Sequence, residues 1–484
     1  MPRVLIISYY FPPAGGPAVQ RVLGMVRHLP SFGWDPVVLT VRDGTFMNRD
    51  EAALADIPSN VPVYRARSVE PFALYNRLRG RPGEESLPLG HTGASTPGVV
   101  GRLAAYVRAN LFIPDARIGW LPFATALGRR VIKSENIDAI LTSSPPQTTQ
   151  LIGRRLAKRT GLPWIADFRD PWTRIYYNTE LPRTGVAQRI DERFERKCIE
   201  RADRVVVVNE YVRDSLELDG KHADIITNGF EESEFRGDVE PITDRFTLVY
   251  VGNLIASLGE TETLFRVLGE MARDTEFRRA LRLQFVGRLH DRGLAELATY
   301  GLRDCAEITG FVPHTEAVQR LRRATVALFI GPGDILGTKI FEYIATGRPL
   351  LPLASPNGDV DRLLSSCGRE RTVAHTDAAG IRERVRTLYE QWRSDTLPTR
   401  APMDGVAHLT RRALTGRLAE VLDAAIGLAQ RYDELLYLIA DVVDSQEGVV
   451  EGTSRRVQEH AARFAAALDL PAEEHLALTR AALL

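Results

Sequence analysis

The sequence predicts an α/β protein of two doubly wound, Rossmann-like domains that face each other across a cleft, plus a short all-helical C-terminal appendage. Three observations lead to this fold class. The chain has 484 residues, which is more than one hydrophobic core usually covers. Short apolar runs alternate with helical patterns, which is the order of a parallel sheet. The opening order of strand, glycine loop and helix begins again at residue 247.

The first domain is predicted over residues 1–230. Residues 4–8 are an apolar run that suits a strand buried on both faces, and the loop after it contains Gly15 and Gly16. Ligands of such sheets bind at the carboxyl ends of the strands, so we expect this loop at a binding edge. Further strands are predicted at residues 36–40, 61–65, 139–143, 164–166 and 205–208.

The second domain is predicted over residues 245–400, after an acidic linker. Several of its strands run directly into a glycine, as at Gly252 and Gly287. A turn explains any one of these glycines, but their recurrence favours an edge where the backbone approaches a ligand closely. Residues 401–427 are predicted as a closing helix and residues 428–484 as a helical tail.

Composition and charge exclude several classes of function. Lys and Arg together number 62, as do Asp and Glu, so the chain lacks the basic excess of a nucleic-acid-binding protein. Its three cysteines lie far apart, which predicts neither a disulfide framework nor a zinc site. No apolar run reaches the roughly 18 residues of a membrane span. We therefore expect a cytoplasmic protein.

The most informative segment is residues 334–349, DILGTKIFEYIATGRP. A helix beginning near Gly337 would place Lys339 and Glu342 on one face. Its free backbone N–H groups would favour an anion such as a diphosphate, and Lys339 would add a point charge. Glu342 can accept two hydrogen bonds from adjacent ribose hydroxyls. A surface salt bridge between Lys339 and Glu342 is the alternative interpretation.

These motifs resemble the retaining GT-B glycosyltransferases of the large family that includes sucrose synthase and bacterial mannosyltransferases. That family carries two Glu residues separated by seven positions, which here become Asp334 and Glu342. The resemblance spans roughly residues 1–427. The motifs YYFPPAGG at residues 9–16 and DFRDPW at residues 167–172 resemble bacterial enzymes of capsule, O-antigen or exopolysaccharide assembly.

The resemblance implies roles for the residues that match the family pattern. Glu342 would bind the ribose of a nucleotide-sugar donor, and Asp334 would lie near the hydroxyls of the donor sugar. Gly15 and Gly16 would bring backbone N–H groups to the diphosphate and the transferred sugar. The resemblance also implies a reaction without a metal or other cofactor.

One departure concerns the family's phosphate-binding pair, an Arg after the first strand of the second domain and a Lys about five residues later. Here Gly252 is followed by Asn253, and Ser257 and Leu258 stand near the position of the Lys. We predict that Arg288 and Lys339 supply the missing positive charge at this edge. Without a cation, a leaving diphosphate would have little stabilisation.

The acceptor is expected on the first domain. Asp167 or Asp170 could take the proton of the acceptor hydroxyl, and Arg169 could hold an acceptor phosphate; Arg169 could equally pin the loop by pairing with its neighbouring acids. The implied acceptor is a glycan or a lipid-linked sugar. Basic residues interleaved with apolar ones predict peripheral contact with the inner membrane surface, although a solvated loop is the alternative: Arg77, Arg79, Arg81 and Arg102.

The tail resembles the opening helices of an HD-type phosphohydrolase domain. The position of that family's first ligand His is occupied by Thr453, so a working phosphodiesterase is not expected. The tail could therefore be a remnant, a truncated gene product or a small helical module.

Two other functions are open for the whole chain. One is a nucleotide-sugar epimerase of the same fold, and the other is a non-catalytic nucleotide-sugar-binding protein with the tail as its output.

Overall fold

The architecture consists of two parallel sheets, each flanked by helices. A computed structural model describes residues 1–46, 49–69, 106–175, 178, 181–237, 239–242, 244–254, 261–331, 336–398, 404–444 and 459–463. Every strand pair in both sheets is parallel. The predicted pair of doubly wound α/β domains is therefore confirmed.

The first sheet has seven strands in the order β3-β2-β1-β4-β5-β6-β7. The order reverses direction at β1, so β1 and β4 flank the switch point where ligands of such sheets bind. Strand β4 is buried at every position, as expected for a strand covered by helices on both sides. The strands are β1 Arg3–Ile7, β2 Asp35–Val41, β3 Val63–Ala66, β4 Ala139–Ser144, β5 Trp164–Phe168, β6 Arg204–Val207 and β7 Ala223–Ile225.

Two apolar layers cover this sheet. Helices α2, α3 and α4 pack on one face, and α1 packs on the other together with the helix Arg411–Asp444. The helices of this domain are α1 Pro17–His28, α2 Leu121–Ser134, α3 Thr148–Thr160, α4 Gly185–Arg201 and α5 Glu210–Ser215.

The second sheet has five strands in the order β10-β9-β8-β11-β12. Its strands are β8 Phe246–Val251, β9 Leu281–Val286, β10 Ala306–Ile308, β11 Val326–Ile330 and β12 Leu350–Leu353. Its helices are α6 Glu262–Met271, α7 Thr275–Ala280, α8 Asp291–Thr299, α9 His314–Arg322, α10 Lys339–Thr346, α11 Asp359–Ser366 and α12 Ala378–Arg393. Short 3-10 turns occur at Leu29–Phe32, Ala52–Asp56, Ile118–Trp120, Glu232–Phe235, Arg303–Cys305 and Asp404–Leu409.

The chain then returns to the first domain through helix α13, Arg411–Asp444. Leu418 and Leu422 pack in the apolar layer of α1, and the Trp34 indole donates a 2.9 Å hydrogen bond to Asp423. The helix runs past residue 427 without a break. Thr453 and most of the predicted tail lie outside the described residues. No helix in the described part of the chain is long and apolar enough to cross a membrane.

Candidate active site

A cavity of about 410 Å³ lies between the two sheets, at the carboxyl ends of their strands. Six of the predicted site residues line it. Gly15 and Gly16 come from the loop after β1, and the second domain contributes Gly252, Asn253, Lys339 and Glu342. These residues are far apart in the sequence, and the facing sheet edges bring them together.

Gly252 allows the Lys339 ammonium group to lie directly against the end of β8. Its φ of 128° belongs to the region that favours glycine, and a Cβ added there would lie only 1.7 Å from Lys339 Nζ. Gly287, directly after β9, has no room for a side chain either, because a Cβ added there would lie 2.3 Å from the Gly252 carbonyl oxygen. The two glycines therefore leave room for the backbone and for one cation.

Lys339 is a half-buried cation. It lies 5.9 Å from the centre of the Tyr250 ring, and burial lowers its pKa while the nearby Glu342 opposes that shift. Lys339 also begins helix α10, and Thr338, at the N-cap position, makes no side-chain capping hydrogen bond. The start of α10 thus offers backbone N–H groups without a side-chain cap, and its first residue adds a positive side chain, a combination that suits an anion.

Glu342 is the half-buried acid of the cavity, and its side chain is 17% exposed. Burial raises its pKa, and the positive charges of His314 and Arg411 oppose the shift. His314 Nε2 lies 3.9 Å from Glu342 Oε1, which is too far for a hydrogen bond. Among the described residues we find no hydrogen-bond donor to the Glu342 carboxylate. A half-buried carboxylate of this kind has acceptor capacity left for a ligand.

His314, whose role the sequence leaves open, lies between two acids. Its Nε2 is 3.3 Å from Glu234 Oε2, on the segment that connects the domains, and the side chain lines the cavity. The hydrogen bond to Glu234, together with the charge of Glu342, raises the pKa of His314 above its usual value against the effect of burial. His314 therefore carries positive charge beside Glu342 over a wider pH range than a free imidazole.

Arg411 is a cavity residue that the sequence analysis missed. Its backbone N–H donates to the Phe230 carbonyl at 2.8 Å, and its Nη1 lies 3.4 Å from Gln20 Oε1. Gly24 of α1 makes room for it, because a Cβ there would lie 2.8 Å from Arg411 Cδ. It begins helix α13, and nothing near it in the sequence indicates that this helix returns to the cleft.

Asp167, predicted as a possible proton acceptor, is fully buried and does not line the cavity. Arg21 holds it through two hydrogen bonds, Nη2 to Oδ1 at 2.7 Å and Nε to Oδ2 at 3.1 Å. The Ser143 hydroxyl donates a third at 2.7 Å. Arg21 also donates to the backbone carbonyls of Ile226 and Thr227, and so ties β5 to the segment after β7.

Arg169 and Asp170 also lie outside the cavity lining. The Arg169 guanidinium donates to the carbonyls of Ser144 at 3.0 Å and Pro145 at 2.8 Å, so it holds the loop after β4. Asp170 is half-buried, and burial raises the pKa of its carboxyl. These contacts agree with the loop-pinning interpretation of Arg169, although backbone carbonyls take the place of the neighbouring acids.

The remaining predicted residues are exposed or outside the described part of the chain. Arg288 is exposed and away from the cavity lining, and its backbone N–H donates to Asn253 Oδ1 at 3.1 Å. Asp334, the predicted contact of the donor sugar, lies outside the described residues. The same holds for Ser257 and Leu258 and for the predicted membrane-contact residues Arg77, Arg79, Arg81 and Arg102. Within the described ranges no group of three His, Cys, Asp or Glu side chains could hold a metal ion.

Comparisons with known proteins match the two domains separately. A family model described as a glycosyl transferase 4-like domain matches residues 15–229. A second model, described as glycosyl transferases group 1, matches residues 245–391. A search of curated proteins gives no significant match.

Solved structures share the fold at low sequence identity. Sucrose-phosphate synthase from Thermosynechococcus elongatus is 15% identical with a TM-score of 0.52, and 90% of this chain aligns with 100% of that one. HepE from Anabaena, solved in complex with UDP, is 13% identical with the same coverage and a TM-score of 0.52. A Listeria monocytogenes protein described as a UDP-N-acetylglucosamine 2-epimerase is 12% identical, with a TM-score of 0.50 and coverage of 87% and 96%. These likenesses confirm the GT-B fold, which transferases and an epimerase share.

Proposed function

We propose that this chain, which belongs to the glycosyltransferases, moves a sugar from a nucleotide-sugar donor to a hydroxyl group of an acceptor in the interdomain cleft. One observation carries the proposal. The cavity places a half-buried cation, Lys339, beside a half-buried acid, Glu342, that has no hydrogen-bond donor among the described residues. A ligand with a negatively charged part and adjacent hydroxyls supplies what both groups lack.

The donor would occupy the second-domain wall of the cavity. Its diphosphate would meet Lys339 and the backbone N–H groups at the start of α10, which would stabilise the charge that develops as the sugar leaves. The ribose hydroxyls would donate to Glu342, less than one helical turn further along. Gly252 and Asn253 line the same wall and would contact the donor from the end of β8.

The transferred sugar would lie towards the first domain. Gly16 has a φ of 109°, and nothing lies within 4 Å of the place where its Cβ would be, so the sugar can approach this backbone closely. Asp334 remains our proposal for a contact with the sugar hydroxyls. For the acceptor we favour Asp170 over Asp167 as proton acceptor, because three hydrogen bonds already occupy the Asp167 carboxylate.

The proposal also includes the stereochemistry of the transfer, a reaction without a metal and the kind of acceptor. Retention of configuration follows from the resemblance, as does a reaction without a metal, in which Lys339 and the start of α10 would take the metal's place. A glycan or lipid-linked acceptor in cell-surface polysaccharide synthesis, on the cytoplasmic side of the membrane, follows from the same resemblance. UDP bound to HepE is a nucleotide of the kind that the cavity would hold.

A non-catalytic binding protein is the second candidate function, and the lack of an Arg or Lys directly after Gly252 favours it. Such a protein would keep the cavity and its ligand but would not turn the ligand over. An epimerase would need catalytic acids around the sugar ring. The fold shared with the Listeria protein does not decide this point.

Release of nucleoside diphosphate distinguishes the three functions. We would supply UDP-, GDP- and ADP-sugars with a lipid extract as acceptor, and run the Lys339→Ala and Glu342→Ala variants beside the wild type. Acceptor-dependent release from one donor, lost in both variants, is the expected result. Binding of a diphosphate without turnover of any donor would support the binding protein, and conversion of the sugar without release would support the epimerase.

A further inference from the structure

A groove of about 410 Å³ lies on the second domain, away from the interdomain cavity. It is lined by residues 347–349, which directly precede β12, by residues 368–370, which follow α11, and by one side of α12. The interdomain cavity lies at the carboxyl ends of the strands, whereas residues 347–349 stand at the amino end of β12. The groove is therefore at the opposite edge of the second sheet, and we call it the rear groove.

The rear groove carries a net positive charge. Three of its lining residues are arginines, Arg348, Arg369 and Arg384, and one is an acid, Glu370. Arg348 and Arg369 are buried, and Arg369 is only 9% exposed. Glu370 Oε1 accepts a 3.1 Å hydrogen bond from the Leu350 backbone N–H and lies 3.2 Å from Arg384 Nη2. One carboxylate thus faces three guanidinium groups, which leaves an excess of two positive charges.

Two of these guanidinium groups have hydrogen-bonding capacity left over. Arg369 Nε and Arg384 Nε are buried and have no acceptor among the described residues. Arg369 Nη2 donates to the Ile344 carbonyl at 2.8 Å, so this side chain is held in place while its Nε stays unsatisfied. Burial lowers the pKa of Arg369, and the charge of Glu370 opposes the shift. A buried charged donor without an acceptor is costly, so two of them in one groove indicate an acceptor that a ligand supplies.

We propose that the rear groove binds the phosphate group of a small organic phosphate. The Nε and Nη donors of an arginine form a planar fork that matches two oxygens of a phosphate. A phosphate monoester carries about two negative charges at neutral pH, which balances the excess of the groove, whereas a carboxylate carries one. The groove is larger than a bare phosphate ion needs, and Pro349, Leu388 and Pro398 line it beside the arginines. These residues would contact the organic part of the ligand.

The rear groove and the candidate active site lie at opposite ends of α10. Arg369 donates to Ile344 in the last turn of this helix, whereas Lys339 and Glu342 stand in its first turn. The helix has eight residues and is about 12 Å long, so a phosphate in the groove and a nucleotide in the cavity would occupy separate sites. Binding in the rear groove does not depend on the proposed function.

Equilibrium dialysis of the full-length protein against radiolabelled glycerol phosphate and radiolabelled inorganic phosphate tests the proposal. We expect glycerol phosphate to bind the wild type more tightly than inorganic phosphate does. Arg384→Gln should bind both at least about tenfold more weakly, because hydrogen bonds between charged groups are lost. The matched control is Arg386→Gln, two positions along the same helix, exposed and outside the groove lining, which should bind within about twofold of the wild type.

Glu370→Gln gives a result that a folding defect cannot imitate. The variant removes the negative charge beside the arginines but keeps an acceptor for Leu350, so both phosphates should bind about fivefold more tightly. The binding that Arg384→Gln removes should persist in Lys339→Ala, because Lys339 belongs to the other cavity.

Three outcomes would overturn the proposal. The first is that neither phosphate binds the wild type at millimolar concentration. The second is that binding is lost in Lys339→Ala and kept in Arg384→Gln, which would place the phosphate in the interdomain cavity. The third is that radiolabelled acetate binds as tightly as glycerol phosphate, which would show a general attraction for negative charge instead of a phosphate site.

Discussion

Asp167 and Glu342 are both carboxylates near the cleft edge of a sheet, one in each domain, but Asp167 is fully buried, the Glu342 side chain is 17% exposed, and their surroundings differ. Asp167 accepts hydrogen bonds from Arg21 and Ser143, so the fold itself satisfies its charge. Burial raises the pKa of Glu342. Among the described residues, positive groups oppose this shift by their charge, but none donates a hydrogen bond to the carboxylate. A buried charge that the fold satisfies contributes to the folded state, whereas one without a hydrogen-bond donor costs stability and is kept where a ligand completes it.

The largest effect we expect is from Asp167→Ala. The change leaves the Arg21 guanidinium buried with an unpaired charge, so the free energy of unfolding should fall by about 3–5 kcal/mol, measured by urea denaturation. The control is Asp170→Ala, three positions further along and just after β5, which should change stability by less than about 1 kcal/mol. If Asp167→Ala lowers the free energy of unfolding no more than Asp170→Ala does, the fold does not depend on the Asp167 carboxylate, and the contrast with Glu342 fails.

Gly252→Ala tests the second-domain wall of the cavity, to which Lys339 and Glu342 belong. The new Cβ would collide with Lys339 Nζ and displace the cation from the proposed diphosphate position, so turnover should fall on the order of 100-fold or more. Gly301→Ala is the control, since Gly301 also has a positive φ but has nothing within 4 Å of the added Cβ. Steady-state kinetics should show a loss in the first variant only, and an equal loss in both would mean that backbone strain, not the Lys339 position, is responsible.

Glu342→Gln should separate ligand binding from stability. Donor affinity, measured by calorimetry, should fall about 10- to 100-fold, because hydrogen bonds to a charged acceptor are worth about 1.5–3 kcal/mol. The free energy of unfolding should stay the same or rise, since a half-buried charge without a hydrogen-bond donor among the described residues is removed. A large loss of stability would show that Glu342 is satisfied by the fold, as Asp167 is, and would remove the contrast.

The smallest effect we expect is a difference in the pH dependence of stability between the wild type and Glu342→Gln. The folded protein favours the protonated Glu342 carboxyl, so wild-type stability relative to Glu342→Gln should fall as the pH rises from about 4.5 through the raised pKa. The loss should be about 1.4 kcal/mol for each pH unit that separates the pKa of the folded protein from that of the unfolded chain. Donor affinity should rise over the same range, because the ionised form accepts the ribose hydrogen bonds. Denaturation melts measure the stability and calorimetric titrations measure the donor affinity, each at several pH values. If stability and donor affinity change in the same direction as the pH rises, the account is contradicted.

Local patterns were enough to predict the fold and one wall of the candidate site. Buried parallel strands are short apolar runs, and Lys339 and Glu342 stand three positions apart at the start of one helix. Asp167 illustrates what local patterns miss, because its position at a strand end suggests chemistry while its partner Arg21 lies 146 residues away. Arg411 likewise reaches the cavity only because α13 folds back on α1, a packing choice that no nearby residue signals.

The central claim is that Lys339 holds the diphosphate of a nucleotide-sugar donor in this cavity. Calorimetric titration of UDP, GDP and ADP into the wild type, Lys339→Ala and Arg288→Ala tests it most directly, because Arg288 is the other cation that the sequence predicts for this role. We expect one nucleotide to bind the wild type, to bind Lys339→Ala at least about tenfold more weakly, and to bind Arg288→Ala within about twofold of the wild type. Unchanged binding by Lys339→Ala, with the loss in Arg288→Ala instead, would contradict the claim.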